Sequence, residues 1–136
     1  MVRVYRILLF IISLAICLKL SANDSARVVR VKDGDTYVLR KGNTDFTVRL
    51  KNIDSPELKQ PYGYLSFVNT SKLLSGRMVS YDSTGKDLYG RVLADIWINN
   101  QRLDSTLISN GWAWHYQQYS SDTLFNSILP LAIIES

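Results

Sequence analysis

The chain has 136 residues, 46% of them hydrophobic, which supports one small domain with a modest core and leaves no room for two. With one cysteine it cannot be a disulfide-built scaffold, and its formal charge of +4 at pH 7 is unevenly placed along the chain. No internal repeat or low-complexity run interrupts it.

The first element is not part of the domain. Residues 1–6 carry Arg3 and Arg6, residues 7–18 are apolar apart from Ser13, and Ser21-Ala22 offers a small-residue cleavage point. This pattern predicts a signal peptide over residues 1–22 and a secreted or periplasmic domain over 23–136. This stretch of twelve residues falls short of the roughly 20 that span a bilayer. A membrane enters only if the segment stays uncleaved as a signal anchor or Cys17 is lipidated. Removing Arg3, Arg6 and Lys19 from the 16 basic residues leaves 13 against 12 acidic ones. Any affinity for a polyanion must then come from cations clustered locally, not from a broad basic surface.

The pattern next predicts strands over residues 27–31 and 36–40 around an Asp33-Gly34 turn. Over 46–53, Phe46, Val48 and Leu50 alternate with Thr47, Arg49 and Lys51, which puts Arg49 opposite the apolar face. Residues 54–63 contain two prolines and a glycine and must be loop. Tyr64, Phe67, Val68, Ser71 and Leu74 follow helical spacing until Gly76. Strands over 77–82 and 91–98 are expected around a loop over 83–89. Asn100 is the expected N-cap of a second helix carrying Leu103, Leu107 and Ile108, with Gly111 past its end. Trp97, Trp112 and Trp114 read as structural, and His115, the lone histidine, as a packing residue. Short strands in a meander with a helix between the third and fourth suit a mainly β (α+β) five-stranded barrel of OB type. Residues 124–134 are nearly all apolar with Pro130 among them, so the C-terminal helix is expected to be truncated or altered.

The chemistry-bearing residues fall in three segments: Asp33-Gly34-Asp35-Thr36, then Arg49 through Asp54-Ser55-Pro56-Glu57, then Tyr89-Gly90-Arg91. Hydrolysing a phosphodiester requires neutralised phosphoryl oxygens, a water in line and help with its deprotonation. Asp35 and Asp54 can give hard oxygen ligands to a divalent cation, Glu57 can hold the water, and Arg49 and Arg91 can fork onto phosphate oxygens. Asp33 reads as a turn former.

Residues 31–39, 48–57 and 88–94 resemble the three signature segments of the thermonuclease (staphylococcal nuclease-like) family, in its order and spacing. With Pro61-Tyr62-Gly63 and Asn110-Gly111-Trp112-Ala113, the resemblance runs from about residue 28 to 119. It implies the OB-type barrel and a calcium-dependent endonuclease acting on DNA and RNA, preferably unpaired, with little sequence preference. The 5′ P–O bond would be cleaved, leaving 3′-phosphate ends. Asp35, Asp54 and the Ser55 backbone carbonyl would be metal ligands, with Ser55 standing where the family most often has threonine. Glu57 would be general base or water-positioner, and Arg49 and Arg91 would clamp phosphate. Tyr89 would contact a substrate phosphate; Tyr116 or Tyr119 would lie beside the base. Ca2+ suits two carboxylates, a carbonyl and waters at loose geometry. No stable protein partner is implied, so a monomer is expected. The alternatives are a non-catalytic OB-type module that binds nucleic acid or protein, and a poorly stable inactive homologue. Retention of all the carboxylates and both arginines favours the enzyme.

Overall fold

In the computed structural model the chain is described over residues 23–116. The expected signal over 1–22, Tyr119 and the apolar tail lie outside the described residues. Strands β1 (Asp24–Val31), β2 (Thr36–Lys41) and β3 (Thr44–Leu50) form an antiparallel meander. A short strand β4 (Ile53–Asp54) and helix α1 (Gly63–Leu74) precede β5 (Met78–Lys86) and β6 (Val92–Ile98). Then come β7 (Gln101–Arg102), helix α2 (Leu103–Ser109) and β8 (Trp114–His115). The order β3-β2-β1-β5-β6 closes into a barrel because β3 also pairs with β6, in parallel, with Val48 opposite Val92 and Leu50 opposite Ala94.

The alternation within each strand sends one set of side chains inward. Val48 and Leu50, Val79 and Tyr81, and Ala94, Ile96 and Ile98 are buried together with Leu103, Leu107 and Ile108 of α2. In β1 the buried positions run Ala26, Val28, Val31; a bulge between Val28 and Arg30 shifts the phase, so Val31 turns inward in place of Arg30.

Four expectations are corrected. β3 stops at Leu50, not Ile53, because Asn52 takes a left-handed conformation (φ 65°) and turns the chain away from the sheet. β5 runs on to Lys86, into the expected loop, across a bulge at Ser83/Gly85. α1 buries Gly63, Ser66, Thr70 and Leu74, whereas Tyr64 is exposed. The reason is close approach: the Ser66 hydroxyl donates to the Trp112 carbonyl at 2.7 Å, and only small side chains fit there. Finally, Asn100 is not a helix cap. Asn99 and Asn100 (φ 50° and 63°) form a two-residue hairpin turn with both residues left-handed, joining β6 to β7, and α2 starts after Arg102. Trp112 packs against the core, but Trp114 is half exposed. His115 is buried.

Candidate nuclease site

The first site segment is built by a turn. Asp33 Oδ1 accepts the Asp35 N–H at 3.2 Å, the turn role its Asp-Gly context predicts, and Tyr37 Oη donates to the Gly34 carbonyl at 2.7 Å. Gly34 has no room for a side chain: a Cβ there would lie 2.3 Å from Ser66 Oγ and 2.7 Å from Ser55 Cβ. The turn is thereby wedged against both the Ser55 segment and α1. The second segment leaves β3 at Arg49, and β4 pairs Asp54 with Trp114 of β8, which fixes the Asp54 backbone.

Arg49 joins these segments. Its Nη1 donates to Asp35 Oδ1 at 2.6 Å and its Nη2 to Asp54 Oδ1 at 2.8 Å. Asp35 also accepts from Thr36 Oγ1 at 2.9 Å and from the Ser55 N–H at 3.0 Å. Asp35 is nearly enclosed, and burial pushes its carboxyl up to about 6, outweighing the attraction of Arg49. For Arg49 burial acts against the charge, yet Asp35 and Asp54 outweigh it and hold the guanidinium above its ordinary value. Both shifts are upward, but burial wins at Asp35 and the ion pairs win at Arg49, whose side chain keeps 25% of its surface in water against 4% for Asp35.

Arg91 arrives on the β5–β6 connection. Asp87 Oδ2 accepts from Arg91 Nε at 2.7 Å, while its Oδ1 accepts the N–H groups of Tyr89 and Arg91, both at 2.9 Å. The guanidinium lies 5.4 Å from the centre of the Tyr89 ring, which is 85% exposed. Glu57 sits on a tight loop. Its N–H donates to Gln60 Oε1 and its carbonyl accepts the Gln60 N–H, both at 2.8 Å. A Cβ on Gly63 would lie 1.8 Å from the Glu57 carbonyl oxygen, so glycine is required for that loop to close on α1.

Arg49, Asp54, Glu57, Tyr89, Arg91 and Tyr116 line one open groove. The Tyr116 N–H donates to the Asn52 carbonyl at 2.8 Å, bringing that ring to the rim. Asp35 and Ser55 are buried beneath, tied to the groove through Arg49 and the Ser55 amide. Sequence reasoning gives no role to Asp87 or Gln60, and reads Gly34 only as a turn residue. Asp87 had a usable signal, an aspartate three residues before Gly90 as in a turn; the other two depend on contacts that pattern does not show.

A closed five-stranded barrel with two helices, carrying two arginines and three carboxylates about one groove, defines an OB-type domain with a charged groove on one face. The chain belongs to the staphylococcal nuclease homologue family, whose description matches residues 47–129. It is 39% identical over 103 residues to an uncharacterized endonuclease of Haemophilus influenzae, covering 75% of this chain and 58% of that protein. It is 36% identical over 104 residues to an uncharacterized endonuclease of Escherichia coli, covering 76% and 68%. Against the thermonuclease of Staphylococcus intermedius it is 38% identical over 98 residues, covering 66% and 58%. The chain thus matches about three fifths to two thirds of the length of these relatives.

Proposed function

We propose that this protein is an exported, calcium-dependent endonuclease that hydrolyses phosphodiester bonds of DNA and RNA with little sequence preference, leaving 3′-phosphate ends. The observation that carries the reading is the Arg49 fork bridging Asp35 and Asp54 in the groove that Glu57 and Arg91 also line. Family membership and the relatives named as endonucleases support it. Export is supported by the basic, apolar and small-residue order of residues 1–22.

The donor set suits a hard cation. Two carboxylates converge on one guanidinium, and the enclosed Asp35 carries a charge that burial disfavours and a cation would relieve. Among the described residues no third acidic, histidine or cysteine side chain joins them, so carbonyl and water oxygens would complete the shell. Calcium held by Asp35, Asp54 and the Ser55 carbonyl would draw charge from the phosphoryl oxygens.

The remaining work falls to side chains. Arg49 and Arg91 approach the phosphate from β3 and from the β5–β6 connection, each offering a planar donor fork whose charge persists at any working pH. As charge grows on the phosphoryl oxygens those forks bind more tightly, which lowers the barrier. Glu57 holds the attacking water and accepts its proton. Tyr89 and Tyr116 flank the nucleotide, and contacts to phosphate and to ring faces carry little sequence information, which supports weak sequence preference. The test is cleavage of single-stranded DNA and of RNA by the full chain with calcium or with chelator, with end-group analysis. Calcium-dependent cleavage to 3′-phosphate ends supports the reading; 5′-phosphate ends or cleavage in chelator would refute it.

A further inference from the structure

One edge of β6 carries a row of cations. Arg49 of β3 is paired with Leu93, the Lys51 N–H extends that ladder to the Ala94 carbonyl at 3.0 Å, and Arg102 of β7 is paired with Trp97. Leu93, Asp95 and Trp97 alternate with buried Ala94, Ile96 and Ile98, so they share the outer face of the strand. Three cations therefore flank successive outward rungs, about 6.6 Å apart by strand geometry. Asp95 lies between the last two, Lys51 and Arg102: its Oδ2 is 2.8 Å from Lys51 Nζ and its Oδ1 is 3.6 Å from Arg102 Nη2. Lys51, Asp95 and Arg102 line the same groove as Arg49, Asp54 and Glu57.

We propose that Lys51, supported by Arg102, forms a binding subsite for the phosphodiester next to the scissile one on the same nucleic-acid strand. The proposal rests on the phosphodiesterase reading above. Four observations carry it. The row begins at Arg49, so a strand whose phosphate meets Arg49 and runs along β6 meets Lys51 at the next rung. An extended single strand advances about one such rung per nucleotide, as suits a basic groove that tracks a backbone. At this end of the groove Lys51 and Arg102 line it against Asp95 alone, while Asp104 is turned into the protein and 1% exposed. Lastly, the ammonium of Lys51 has three donors, and Asp95 holds its position with one. Arg102 places its Nε and Nη2 on Asp104 at 3.1 and 2.6 Å, so it contributes mainly through its field.

The test is binding of a fluorescent decathymidylate to the full chain in chelator, titrated across a range of salt concentrations, for the parent, Lys51→Ala and Lys51→Arg. A protein that loses one phosphate contact on a single strand should lose about 0.7 from its log–log salt slope. Lys51→Ala should show that loss, with affinity at low salt reduced roughly three- to tenfold. Lys51→Arg should keep the parental slope, because it keeps the charge. An unchanged slope in Lys51→Ala, an equal loss in Lys51→Arg, or no salt-dependent binding by the parent would overturn the subsite. A parent that binds with the expected slope, and loses it in Lys51→Ala, but does not cleave with calcium would sink the phosphodiesterase reading while supporting the phosphate subsite.

Discussion

Asp35 is placed against its own stability. Its carboxyl is enclosed between the Gly34 turn, Ser55 and Arg49, and burial lifts it to about 6 from an ordinary value near 3.8. A folded value above the unfolded one means that the folded state holds the proton more firmly. Stability contributed by this group is present below about pH 4 and is lost as pH rises to about 6, after which the penalty is constant. In chelator, Asp35→Asn should therefore raise the melting temperature at pH 8, by an amount corresponding to about 1 to 3 kcal/mol. The difference should close below pH 4. A variant that melts lower at pH 8 would show that the hydrogen bonds from Arg49 and Ser55 outweigh burial. The arginines predict differently. Arg91→Ala should reduce turnover about 10² or more, measured at saturating substrate. Arg49→Lys should not restore activity, since a point charge cannot bridge Asp35 and Asp54 as the fork does. The acidic and basic residues that line or underlie the groove stood out in sequence because each stands in a short motif. Their mutual ion pairs did not, because Asp35 and Arg49 meet across fourteen positions only once β2 and β3 pair.

At the scale of elements, loops carry most of the positioning. The Glu57 loop closes on α1 only because Gly63 admits the Glu57 carbonyl. Gly63→Ala should cost about 1 to 3 kcal/mol by overpacking and should lower turnover as Glu57 moves. Melting and steady-state rates check both, and parental turnover would show that Glu57 does not depend on this approach. The β6–β7 hairpin gives a second test. Its left-handed turn at Asn99-Asn100 favours glycine at the second place, so Asn100→Gly should stabilise by roughly 0.5 kcal/mol in a denaturant titration. Were Asn100 a helix cap, the same change would be slightly destabilising. Sequence pattern mistook this turn because Asn serves both roles, and what decides is the pairing of Trp97 with Arg102. It likewise ran β3 to Ile53, because Leu50 and Ile53 are both buried although they belong to different sheets.

At the scale of the molecule, the barrel was legible because five period-two segments separated by turn residues admit few other closures. The closing contact itself, parallel β3 against β6, leaves no local mark, nor does the β4–β8 pairing that steadies Asp54. Those long-range pairings gather the groove: they set Arg49 beside Leu93, put Asp54 beside Trp114 and bring Tyr116 to Asn52. The central claim is that this groove is a calcium-dependent phosphodiesterase centre with Glu57 acting on water. It is tested most directly by cleavage of single-stranded DNA by the full chain and by Glu57→Ala, each with calcium and with chelator, beside a thermal melt of both. Calcium-dependent cleavage by the parent, reduced about 10² or more in an equally stable variant, is the predicted result. No cleavage by a cooperatively melting parent, or equal cleavage by both, would contradict it.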